Sequence, residues 1–226
     1  MISVVTSSTG TFSSTASPST GAISGLTASA GDVIVMFIVA NSAAAAVNPT
    51  VSGWVNALGG TNIAAGASYS YHCWYHVITP AEAAAGTTSW TLSGLFTASR
   101  SGRFVLGVLR GCDIVLSPVD VVATGVGPAS TSHVGPSVTP RLANELFIGF
   151  VGTGVSGETY TAPDPPWSVQ VTGNSGQSAA LVLRSVLSSA GVASGAQIVT
   201  ASTAAEYGAI MVAVRGAQDS GFFGFF

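Results

Sequence analysis

Apolar residues recur along the chain in short runs broken by Gly, Ser, Pro and Asn, which is the pattern of many short β-strands joined by turns. Segments rich in Val, Ile, Thr and aromatics predict strands near 2–6, 33–40, 50–57, 68–78, 87–95, 103–110, 119–124, 132–139, 144–151, 167–172, 178–187, 195–202 and 207–215. Runs 33–40 and 146–151 are almost uninterrupted apolar sequence, predicting central strands covered on both faces, whereas 68–78 mixes polar with aromatic positions. One stretch carries helix signals. Thr79 is placed to cap, Pro80 sits at the first helical position, Glu82 completes a capping box and Gly86 supplies the stop, predicting a short connecting helix near 80–85. Residues 6–29 are rich in Ser, Thr and Gly, yet Phe12, Ile23 and Leu26 follow Ile2, Val4 and Val5 often enough to predict ordered edge strands.

The two halves answer each other in order, the signature of a repeated structural unit. Ala30-Gly31-Asp32-Val33-Ile34-Val35 aligns with Leu142-Ala143-Asn144-Glu145-Leu146-Phe147, and the Pro49 to Trp54 stretch aligns with Pro163 to Trp167. The stretch ending Val108-Leu109-Arg110-Gly111 aligns with the one ending Ala213-Val214-Arg215-Gly216. The separation falls from 112 residues at the first block and 113 at the tryptophans to 105 at the last, as loop shortening in the second copy would produce. The expected fold is all-β: an antiparallel, jelly-roll-like β-sandwich over 1–216, made of related halves at about 20–116 and 136–216, with an aromatic tail at 217–226. Too few strands lie in each half to close two separate cores.

Composition narrows the function. Charged residues are only 7% of the chain, so the exterior must be largely Ser, Thr, Gly and Ala. Lysine is absent, and the six basic residues are the scattered Arg100, Arg103, Arg110, Arg141, Arg184 and Arg215, which argues against nucleic acid as a partner. No apolar run approaches the roughly 20 residues of a membrane-spanning helix, and the first residues lack the basic and apolar regions of a secretory signal. Cys73 and Cys112 admit one disulfide; the lack of an export signal favours two buried thiols.

Sequence signals for chemistry are weak. Gly152-Thr153-Gly154-Val155-Ser156-Gly157 has the GxGxxG spacing, but Glu158 to Pro166 cannot open the helix a dinucleotide site needs, so a turn is expected. His72 and His76 would pair as metal ligands on a helix; on a strand they stand about 13 Å apart. His133 has no evident partner. No Ser-His-Asp pattern or close carboxylate pair is visible, so no catalytic, cofactor or metal residue is assigned and an enzyme is not expected. Asp32, Asp113, Asp120 and Asn144 stand at strand boundaries, where turn bonding is their ordinary role. Tyr71, Trp74, Tyr75 and Trp90 offer a glycan platform, against which stands the commoner use of aromatics in β-cores. Phe222, Phe223, Phe225 and Phe226 offer an assembly interface, or a tail folded back on its own sandwich.

The order Ala-Gly-Asp-Val with its apolar run, Gly53-Trp54, Trp74-Tyr75-His76-Val77, Trp90-Thr91-Leu92-Ser93, Leu109-Arg110-Gly111, Pro118-Val119-Asp120, Asn144-Glu145-Leu146, Pro166-Trp167 and a closing Val-Ala-Val-Arg resembles a β-sandwich module of bacteriophage virion proteins, over about residues 20–216. Members of that family are minor tail, tail-fibre or head-associated proteins. The resemblance implies a virion structural protein, a minor tail or capsid decoration protein, made in the host cytoplasm without a signal peptide. It would homo-oligomerise and dock to other virion proteins. A host-surface receptor- or glycan-binding module is the alternative. The resemblance transfers no catalytic residue.

Overall fold

The computed structural model describes residues 1–15, 19–22, 29–41, 53–58, 63–65, 69–93, 95, 100–161 and 165–217. Its elements are β1 (Ser3–Thr15), β2 (Val33–Asn41), β3 (Trp54–Asn56), β4 (Ile63–Ala65), β5 (Tyr69–Val77), α1 (Pro80–Ala84), β6 (Arg100–Arg110), β7 (Val119–Val134), β8 (Leu146–Thr153), β9 (Tyr160–Thr161), β10 (Trp167–Gly173), β11 (Ser178–Arg184) and β12 (Ile198–Val214). They form two antiparallel six-stranded sheets packed into a sandwich. One has the order β1-β6-β2-β5-β3 with β4 on β5; the other has β7-β12-β8-β11-β10 with β9 on β12. Two face-to-face antiparallel sheets are the jelly-roll element of the expected fold. The connectivity is its own: each sheet is drawn wholly from one half of the chain, which crosses between sheets at 111–118.

The two sheets repeat one strand order, and the ladders fix which residues correspond. Val33 stands opposite Leu109 in the first sheet, and Leu146 stands opposite Val214 in the second. Leu146 is therefore the counterpart of Val33, so the first sequence block needs a one-residue correction: Asp32 matches Glu145, not Asn144. A slip of one residue exchanges the two faces of a strand, so only the ladder decides it. Equivalent bulges interrupt the edge strands, between Val4 and Thr6 in β1 and opposite Ala213 and Val214 in β7, which puts Asp120 at the position of Val5.

Every residue of β2 except Asn41, and every residue of β8, is buried, as their unbroken apolar runs require. Alternate side chains go opposite ways. Val33, Val35, Phe37 and Val39 meet Leu146, Ile148 and Phe150 between the sheets, where Phe37 and Phe150 stack with centroids 5.1 Å apart and planes within 1°. Ile34, Met36 and Ile38 point outward and are covered by Ile78, Trp90, Leu92 and Leu95. The second sheet's outer face gathers Phe147, Val151, Met211 and Val138 in the same way.

The helix forms with its capping box complete: Thr79 accepts from the Glu82 N–H while the Glu82 carboxylate accepts from the Thr79 N–H. Stretch 87–95 is not the expected strand. Among its described residues the pairing is an isolated bridge between Ser19 and Thr91, and Trp90 and Leu92 alternate because they face a sheet they cover, not one they join. The expected strands at 119–124 and 132–139 are one strand ending at Val134, and 195–202 and 207–215 merge into β12, with register shifts between Thr200 and Tyr207. Cys73 and Cys112 are buried, free thiols; burial pushes both up, Cys112 to about 12.

Candidate functional site

The short edge strand β3 leaves the longer β7 of the opposite sheet overhanging. Between them lies a cleft of about 530 Å³, walled by Asn56, Leu58 and Tyr75 on one side and by Val119, Asp120, Val122 and Thr124 on the other. At the equivalent edge of the sandwich β1 packs on β10, and Arg103 binds the carbonyls of Ser175 (2.9 Å) and Gln177 (3.0 Å). It also donates to Thr9, the counterpart of Thr124, at 3.1 Å.

One end of the cleft wall is charged. Asp120 accepts from the Arg215 guanidinium and, at 2.8 Å, from the backbone N–H of Arg141. Burial alone would raise its pKa, but the Arg141 N–H and Arg215 outweigh it and hold the carboxyl below its usual range. Beside it Glu145 is fully buried. Burial and the Asp120 carboxylate push its pKa up to about 7, against smaller opposing pulls from Arg215 and the Leu142 backbone. In the first half the corresponding pair is one-to-one: Arg110 binds Asp32 at 2.9 and 2.7 Å, and apolar Val5 stands where Asp120 stands. The second half has two carboxyls for one guanidinium, so it can hold a proton between them. The nearby Ser188 hydroxyl is already engaged, accepting from the Glu145 N–H and donating to the Leu142 carbonyl.

A second polar cluster lies at the other end of the sandwich. Buried Glu158 accepts from Thr153 and, at 3.0 Å, from Tyr160, whose pKa is raised by burial and by this carboxylate. His133 stacks on Tyr207 at 4.4 Å, and burial lowers its pKa.

The aromatics proposed as a glycan platform do not share a surface. Tyr71 is packed between the sheets, and Trp74 and Trp90 lie in the outer cluster of the first sheet, so these rings are unavailable for stacking on a sugar. Tyr75 alone of the four reaches the cleft. His72 is buried against the Ser70 hydroxyl (2.8 Å), with its pKa lowered to about 3 by desolvation. His76 bonds the Gly53 carbonyl (2.6 Å) and Glu82 (2.9 Å), tying the helix to β3. Among the described residues no three His, Cys, Asp or Glu side chains are grouped to share a metal ion. The GxGxxG stretch closes β8 and turns towards β9 with no helix following. Asp120 pairs with Arg215, and Asp32 both pairs with Arg110 and bonds its own turn, accepting from the Ser29 N–H at 3.2 Å, as Asp113 does from the Val115 N–H at 3.0 Å. Phe222, Phe223, Phe225 and Phe226 lie outside the described residues.

Sequence reasoning missed the Asp120–Glu145–Arg215 group. Its signal is the acid preceding the buried strand of each half together with the Arg that closes the neighbouring strand. No protein-family model, curated protein or solved structure matches the chain.

Proposed function

We propose that the chain is a bacteriophage virion structural protein, a minor tail or capsid decoration protein, that self-associates and docks to other particle proteins without catalysing a reaction. The observation that carries this is the state of the sheet edges. β1 and β7 end their sheets, run 13 and 16 residues, and present no exposed charge along their length. The one charged residue in either, Asp120, has a fully buried side chain. Edges of soluble monomers are usually blocked by Lys, Pro, bulges or inward-pointing charge; away from the bulges at Val5 and Asp120 and from Pro128 in β7, these two edges carry no such block and invite added strands. The family resemblance and the lysine-free exterior supply the virion context. Sedimentation of the purified protein, with immunolabelling of purified particles, tests it. Oligomers and labelled particles are expected; a monomer absent from particles overturns the reading.

A second reading, attachment to a host-surface glycan, is favoured by the cleft, where Tyr75 and Thr124 combine an aromatic wall with a hydroxyl. A glycan array showing binding that Tyr75→Ala removes would support it, and an array without hits would dismiss it.

A further inference from the structure

The crossover between the sheets carries three consecutive exposed apolar residues, Ile114, Val115 and Leu116, the last two 89% and 76% exposed. Beside them is a hollow with an apolar side of Ala30, Gly31, Cys112 and Ile114 and a polar side formed by the Asp32–Arg110 pair. Three contiguous exposed apolar side chains on a weakly charged exterior are the kind of patch that marks an interaction site. The last described residues lead to the same place. The Asp113 N–H donates to the Arg215 carbonyl (2.9 Å), Cys112 bridges Gly216, and the Ala217 N–H donates to the Gly111 carbonyl (2.7 Å). Residues 215–217 thus run antiparallel to 111–113 and deliver the following chain to the rim of the hollow.

That following chain is Gln218-Asp219-Ser220-Gly221, a turn-forming stretch, and then Phe222-Phe223-Gly224-Phe225-Phe226. Fully extended, residues 218–226 span about 30 Å. The root of the tail lies one strand spacing, about 5 Å, from Gly111, and Ile114 is three residues, about 10 Å, further along, so the tail must reverse direction to reach the loop, which its length allows. We infer that the aromatic tail doubles back onto the 114–116 loop and the hollow of its own chain, covering both. The tether decides for the same chain over a second copy: a link of only a few residues holds the tail at an effective concentration on the order of millimolar, which a neighbour must exceed to compete. The inference is independent of the assembly reading.

A cross-link tests it. Val115→Cys and Phe223→Cys are introduced together into the full chain and oxidised in dilute solution; the native thiols are buried. An intrachain disulfide at monomer mass is expected in most molecules. Deleting 218–226 from the native chain should raise binding of an apolar dye several-fold, and adding Val115→Ser with Leu116→Ser to the truncated chain should abolish the rise. Interchain disulfides that disappear on dilution would assign the tail to a second copy and overturn the inference. Failure to cross-link, or dye binding unchanged by truncation, would overturn it as well.

Discussion

Glu145 is the residue whose ionisation matters most to the sandwich. An unfolded glutamate titrates near 4.3, whereas in the fold burial and Asp120 bring Glu145 to about 7. Between those values the folded protein holds a proton that the unfolded chain has released. The contribution of Glu145 is therefore complete below the lower value, falls as pH rises through the window, and levels off above the upper one. Glu145→Gln removes that slope, and the difference between the two proteins between pH 5 and 8 should be on the order of 2 kcal/mol in urea unfolding. Comparison with the variant is essential, because burial lowers the pKa of His72 and His133 and they act in the opposite direction in both proteins. A second prediction at this scale concerns the stacked pair at the centre. Phe150→Ala removes one ring of the Phe37–Phe150 stack from a fully buried site and should cost about 3–5 kcal/mol, read from the denaturant midpoint.

At the scale of elements, the helix is a fastener as well as a connection. The Glu82 carboxylate accepts from Thr79, from His76 (2.9 Å) and from the Trp90 indole N–H (2.9 Å), so one side chain joins the helix cap, strand β5 and the cover over the outer face. Glu82→Ala should lower stability by about 2 kcal/mol and weaken the near-ultraviolet circular dichroism of Trp90. The capping signals were plain in the sequence because a cap is local, needing only Thr79, Pro80 and Glu82 in their places. Strands β2 and β8 were equally plain, since burial on both faces leaves no polar position. The full length of β1 was hidden because Ser and Thr on an edge answer no packing demand, and 87–95 misled because a cover alternates like a strand. The acid and the Arg of each half are visible in the sequence, but the carboxyl pair is not: it depends on register across three strands, where a single-residue slip separates Glu145 from Asp32 as its counterpart.

At the scale of the whole molecule, the halves repeat a topology but not a surface. One edge is filled by Arg103, and the other is left as a cleft. If the bare edges of β1 and β7 mediate association, Ser8→Lys with Val126→Lys should weaken it roughly tenfold in sedimentation without lowering the melting temperature. Val126 is 53% exposed, so the fold itself has no stake in that position.

The single crossover at 111–118 also sets an order of events during synthesis. When Arg110 leaves the ribosome, every strand of the first sheet is outside, and the chain that must cover its inner face has yet to emerge. Val33, Val35, Phe37 and Val39 belong to that face, and they wait for Leu146, Ile148 and Phe150. A domain whose sheets each drew on both halves would have no such interval. Here the nascent first half is a finished sheet with one oily side bare, which makes it a natural client for chaperones.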